Sequence, residues 1–163
     1  MSIDHFVGTM TDDDREPSPG LPDGIRPGRV ALAVTDLDRQ ISFYRDVLGL
    51  VVRARDGETA TLGTPDEPLL ELRADPGASE RADTETGLYH VAFLLPSRAT
   101  LAGVLRRVRG RWRLDGASDH GVSEALYLTD PEGNGVELYR DRPRAEWPVT
   151  DDGRVRMGVD PLD

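Results

Sequence analysis

Two histidines and two glutamates stand where their chemistry could be used together: His90 and His120, and the carboxylates Glu71 and Glu137, each set inside a strand-like run. Imidazole nitrogen and carboxylate oxygen are ligands of hard and borderline divalent cations, and imidazole also carries a proton near neutral pH. The chain has no cysteine, so thiolate zinc sites, cysteine nucleophiles and disulfides are excluded, and any metal must take nitrogen and oxygen ligands. Glu71 lies between Leu70 and Leu72, and Glu137 between Val136 and Leu138. In an extended chain, alternation then turns each carboxylate away from the apolar side, with Tyr139 beside Glu137.

The elements that must carry these groups follow from hydrophobic period and turn residues. RVALAV alternates as a half-buried strand, and TDLDRQISFYRDVLG reads as a helix with Asp36 as N-cap and Gly49 as C-cap. Leu37, Ile41, Tyr44 and Leu48 fall on one face of it. LVVRAR, ETATLG and LLELRA are three short strands separated by the Asp56-Gly57 and PDEP turns. The same order then recurs: HVAFLLP as strand, SRATLAGVLRRVRG as helix entered at Ser97, then strands at WRLDG, EALYLTD and GVELYR, the last two joined by a DPEGNG turn. DPEGNG lacks the following helix and lysine of a phosphate loop.

A shift of 61 residues aligns Arg29 to Gly49 with His90 to Gly110 without a gap, pairing Val30 with Val91, Ala31 with Ala92, Arg45 with Arg106, Val47 with Val108 and Gly49 with Gly110. LLELRAD at 69 to 75 matches GVELYRD at 135 to 141. Duplication makes Arg29 the counterpart of His90 and Glu71 the counterpart of Glu137. Arg29 shares its strand face with Ala31 and Ala33, and His90 with Ala92, so small side chains beside each polar group leave room for a ligand.

At 163 residues the chain fits one domain. Its formal charge of −10 argues against nucleic-acid and anionic-membrane partners, which demand a positive field. No apolar run approaches the ~20 residues of a membrane span, and the start lacks the basic and apolar regions of a secretory signal, so a cytoplasmic protein is expected. Residues 1–28, rich in Asp, Pro and Gly, read as a flexible arm; 29–147 form the domain, with modules at about 29–75 and 87–141; 148–163 form a tail. The arginines at 106, 107, 109, 111 and 113 read as a solvated helix end that complements the dipole.

The paired modules, DLDRQISFYRDVLGL, GLYHVAF and DPEGNGVELY resemble the vicinal oxygen chelate superfamily of glyoxalase I, bleomycin-resistance proteins and extradiol dioxygenases. GLYHVAFLLPSR, ASDHGVSEALYL and YRDRPRAEWP are most similar to the amino-terminal half of catechol 2,3-dioxygenase-like proteins. The resemblance implies an α+β fold of two tandem βαβββ modules in a curved, cup-shaped mixed sheet. It implies metal-ligand positions at His90 and Glu137, a glyoxalase-type carboxylate at Glu71, and a proton-transfer role for His120. It also implies a divalent metal (Fe2+, Mn2+, Ni2+ or Zn2+), an aromatic diol or α-oxo compound as ligand, and a homodimer. The chain departs from the pattern at Arg29, where the family's other ligand, usually histidine, should stand; guanidinium has no lone pair for a metal. The expectation is therefore that Arg29 takes the metal's place and pairs with Glu71 or Glu137. A metal-free binding module of the resistance type, or a non-catalytic half of a two-part dioxygenase, follows as the alternative to a metal-dependent enzyme.

Overall fold

A computed structural model of the chain describes residues 20–21, 25–75, 77–79 and 87–162. The expected flexible arm lies largely outside these described residues. The first module runs β1 (Val30–Val34), a helix, β2 (Val51–Asp56), β3 (Thr59–Gly63) and β4 (Pro68–Ala74). The second runs β5 (His90–Leu94), α2 (Arg98–Arg109), β6 (Gly116–Asp119), β7 (Ser123–Thr129) and β8 (Gly135–Asp141), and β9 (Asp160–Pro161) is added from the tail. The result is two mixed sheets, ordered β1-β4-β3-β2 and β5-β8-β7-β6-β9, so the βαβββ unit appears twice with one topology.

The register makes the duplication specific. β1 runs parallel to β4 with Ala31 opposite Glu71, and β5 runs parallel to β8 with Ala92 opposite Glu137. One face of each sheet carries the core: Leu32, Val34, Leu70 and Leu72 in the first, Val91, Leu126, Val136 and Leu138 in the second, all belonging to a single apolar cluster with residues of both helices. Ala31, Ala33 and Ala92 lie on the opposite, exposed face.

The first helix begins as anticipated, with the Asp36 carboxylate accepting from the Arg39 amide, and Leu37, Ile41, Tyr44 and Leu48 are all buried. After α1 (Leu37–Ser42) it widens into a π-helical turn over Phe43–Leu48, ending at Gly49 with φ 93°. The cause lies in the other module. The Arg107 guanidinium donates to the Leu48 carbonyl at 2.6 Å and Arg111 to the Asp46 carbonyl at 2.8 Å, while the Phe43 ring meets Trp112 edge-on with centroids 5.0 Å apart. These two arginines therefore cap a helix end across the module boundary, where the sequence suggested a solvated face. The left-handed backbone at Gly49 favours glycine, and a Cβ there would lie 2.1 Å from Arg107 Nη1, so the guanidinium would have to leave the Leu48 carbonyl.

WRLDG is not a strand. The sixth strand starts at Gly116, because the Trp112 indole N–H is spent on the Thr129 carbonyl and the chain only joins β7 from Asp115 onward, whose amide donates to the Tyr127 carbonyl.

The DPEGNG turn joins the modules as well as reversing the chain. Glu132, 9% exposed, accepts from the Thr35 amide at 2.9 and 3.0 Å and from the Asp36 amide at 3.0 Å, at the point where β1 enters its helix. Asp130, 3% exposed, accepts from the amides of Glu132 and Asn134, the Asn134 side-chain N–H, and the Tyr44 hydroxyl at 3.1 Å. Burial, with the Asp130 charge beside it, pushes the Tyr44 hydroxyl far above its ordinary range, so this group remains a donor.

Candidate functional site

Parallel pairing brings each candidate carboxylate beside the residue that precedes or opens the neighbouring strand. Arg29 lies two residues before Ala31, and Ala31 faces Glu71; His90 lies two residues before Ala92, and Ala92 faces Glu137. The same diagonal contact forms in both modules. Arg29 Nη1 stands 3.4 Å from Glu71 Oε2, and His90 Nε2 stands 2.9 Å from Glu137 Oε2.

Glu71 is mostly buried and faces two guanidiniums, those of Arg29 and of Arg73, which approaches Oε1 at 2.5 Å. In the second module the carboxylate is shared differently. Tyr127 stands directly opposite Glu137 in the β7-β8 hairpin and donates its hydroxyl hydrogen to Oε1 at 3.0 Å. His120 Nε2 lies 2.9 Å from the same hydroxyl, and His120 Nδ1 lies 2.8 Å from the Gly158 carbonyl of the tail. His90, Glu137, Tyr127 and His120 thus form one hydrogen-bonded line. Glu71 is not part of it, and among the described residues no three His, Asp or Glu side chains gather closely enough to hold a metal ion.

Burial and the bond to Glu137 raise the Tyr127 hydroxyl to about 12, so it stays protonated and serves as a donor. Tyr139, on the same face of β8 as Glu137, is also raised, first by burial and then by Asp141 and Glu137. A cavity of about 240 Å³ opens beside the line, with Tyr89, His90, Asp115, Tyr127 and Thr129 among its walls. Tyr89 is 86% exposed and its ring centroid lies 5.0 Å from that of His90. Asp115 is held on both oxygens, Thr129 Oγ1 donating to Oδ2 at 2.7 Å and the Arg113 guanidinium to Oδ1 at 2.8–2.9 Å.

Tyr127 escaped the sequence reading, although a signal for it existed. Once the DPEGNG turn sets Thr129 opposite Gly135, antiparallel counting places Tyr127 opposite Glu137. The contributions of Tyr89 and of the Gly158 carbonyl carried no such local signal, since one depends on a loop's path and the other on where the tail docks.

The chain is 38% identical over 138 residues to the catechol-2,3-dioxygenase of Bacillus subtilis, an alignment covering 83% of this chain and 48% of that protein. It is 32% identical over 120 residues to biphenyl-2,3-diol 1,2-dioxygenase 3 of Rhodococcus globerulus, covering 71% and 63% respectively. The chain thus spans about half the length of the first relative and under two thirds of the second. A solved glyoxalase/dioxygenase structure from Nostoc punctiforme superposes with a TM-score of 0.64 at 22% identity, over 79% of this chain and 100% of that one, and shares the fold. The family model described as Glyoxalase/Bleomycin resistance protein/Dioxygenase superfamily matches residues 26–138, and with the twofold βαβββ topology and the paired Arg29–Glu71 and His90–Glu137 contacts already established, the chain belongs to that superfamily.

Proposed function

We propose that this chain is a catechol 2,3-dioxygenase-like binding module that takes a small hydroxylated aromatic compound on the open face of its second sheet, without a catalytic metal. The observation that carries the proposal is the Arg29–Glu71 pair. A non-haem iron centre of the family kind needs two histidines and a carboxylate with open positions beside them. Of the matching positions here, His90 and Glu137 offer lone pairs, whereas Arg29 offers none and brings a positive charge. Glu71 does not make up the number, because its carboxylate already faces Arg29 and Arg73. The donor set does not fit the centre.

What the residues do support is recognition. The Asp115 carboxylate, whose Oδ2 keeps a lone pair beyond its bond from Thr129, and the His90 ring line the cavity and can meet the hydroxyls of an aromatic diol, and the exposed Tyr89 ring supplies a stacking surface over a cavity of single-ring size. The resemblance to two dioxygenases of dihydroxylated aromatics points to the same ligand class. A homodimer and a cytoplasmic location belong to this reading; among the described residues no helix is long and apolar enough to cross a membrane.

Thermal unfolding with catechol, in the presence of a chelator, tests it. At about 100 times Kd the ligand should stabilise the fold by ~2.7 kcal/mol, a rise of roughly 5–10 °C for a domain of this size. Stabilisation that appears only when Fe(II) or Mn(II) is supplied would overturn the metal-free reading. The Arg29–Glu71 pair, standing where a metal ligand is expected, also favours a second reading, in which the module serves as the non-catalytic half of a two-part dioxygenase. That reading predicts ring-cleavage activity only when a separate, metal-bearing half is added.

A further inference from the structure

The hydrogen-bonded line through His120 has a directional constraint. The Gly158 carbonyl only accepts, so the 2.8 Å contact requires a hydrogen on His120 Nδ1. Tyr127 has one hydroxyl hydrogen and gives it to the Glu137 carboxylate, so its contact with His120 Nε2 requires a hydrogen on that nitrogen too. All three bonds form together only when the imidazole carries both protons. A neutral ring must give one up. With hydrogen on Nδ1 it keeps the tail and draws the Tyr127 hydrogen away from Glu137; with hydrogen on Nε2 it keeps the tyrosine and sets a lone pair against the Gly158 carbonyl.

The element at the far end is a strap. Residues 156–162 return along the edge of the second sheet, with the Arg156 amide donating to the Pro148 carbonyl and the Gly158 amide to the His120 carbonyl. Asp160 and Pro161 pair with Asp119 and Ser118, and Leu162 packs on the core. The strap leaves Met157 and Val159 exposed, at 65% and 78%, so little apolar burial holds its middle and the polar contacts to His120 matter there. The charged groups around the ring are mostly committed to one another. Asp119 accepts from Arg142, and Glu124 across β7 is bridged by Arg98, Arg140 and Arg142; Asp160 lies across β9, and Glu137 lies beyond Tyr127.

We infer that His120 is a proton-operated latch between the open-face site and the carboxy-terminal strap: the doubly protonated ring holds strap and site network together, and loss of one proton makes them compete. The strap is therefore held most firmly while the ring carries both protons and loosens when one is lost.

Imidazole 15N shifts report the protonation and tautomer of His120 directly, and hydrogen exchange at the Gly158 amide, normalised for its intrinsic pH dependence, reports the strap. In wild type, protection at Gly158 should fall about tenfold as the ring loses its proton, the scale of one hydrogen bond to a charged group. In Tyr127→Phe the competing demand on Nε2 is gone, the neutral ring can keep its hydrogen on Nδ1, and protection should become nearly independent of pH. Constant protection at Gly158 while the wild-type ring passes from two protons to one would overturn the latch. So would a Tyr127→Phe variant that retains the wild-type pH dependence.

Discussion

Replacing Glu132 should loosen the join between the two modules, by an amount that the contacts bound. Its carboxylate is the acceptor for two backbone N–H groups, those of Thr35 and Asp36, at 2.9–3.0 Å, and it is nearly excluded from solvent. In Glu132→Ala both amides lose their partner. Each orphaned group costs about 1–3 kcal/mol, toward the lower end where water can reach it, and Asp36 is exposed. A loss of about 2–4 kcal/mol follows, or roughly 5–15 °C in Tm. Glu132→Gln keeps an oxygen for the amides but loses the charge, and should cost about half as much. The internal repeat sharpens the argument, because the 61-residue shift places Pro96 opposite Thr35. The second module removes the N–H that the first must satisfy. Urea unfolding of wild type, Glu132→Gln and Glu132→Ala gives the free energies. A loss below about 0.5 kcal/mol for Glu132→Ala, within the range of an ordinary surface change, would refute the role assigned to the turn.

Gln40 is fully buried and neither atom of its side-chain amide has a protein partner among the described residues, while its repeat counterpart is the buried Leu101. Gln40→Leu should stabilise the fold by about 1–3 kcal/mol in the same urea assay; a destabilised variant would contradict this. Burial pushes the Glu124 carboxyl up, but Arg140 at 2.9 Å and Arg98 at 3.1 Å outweigh it and hold the group below its ordinary value. Stability linked to Glu124 is therefore present above the unfolded-state pKa and lost as pH falls through the lower, folded one. Arg140→Gln should move the acid-unfolding midpoint, followed by circular dichroism, to higher pH, and an unchanged midpoint would contradict the assignment.

The parts of this molecule that were legible from sequence are those that repeat or that follow a local period. The match of LLELRAD with GVELYRD anticipated that Glu71 and Glu137 would occupy one structural position twice, and the register bears this out. Asp36 and Ser97 were readable as caps because capping is a matter of side-chain type at a helix start. The π-helical turn was not readable, because Phe43–Leu48 has an ordinary helical pattern and the geometry depends on Arg107, Arg111 and Trp112 approaching from the other module. The same holds for Asp130 and Glu132, whose turn chemistry was plain but whose partners lie more than 80 residues away in sequence. Within the site, the two carboxylates and His90 could be placed by alternation. The order of hydrogen bonds through Tyr127 and His120 needed the hairpin register and the docked tail.

On the proposed reading Arg29 occupies, in charge and in place, what would otherwise be a ligand position. Elemental analysis of the purified protein after incubation with Fe(II), Mn(II), Ni(II) and Zn(II) and removal of free ions, with Arg29→His beside wild type, tests it most directly. Wild type should retain far less than one equivalent of any of these metals, and the variant should gain metal once the guanidinium is replaced by an imidazole. Near-stoichiometric metal in wild type would contradict it, showing that His90 and Glu137 find a third ligand despite the Arg29–Glu71 pair.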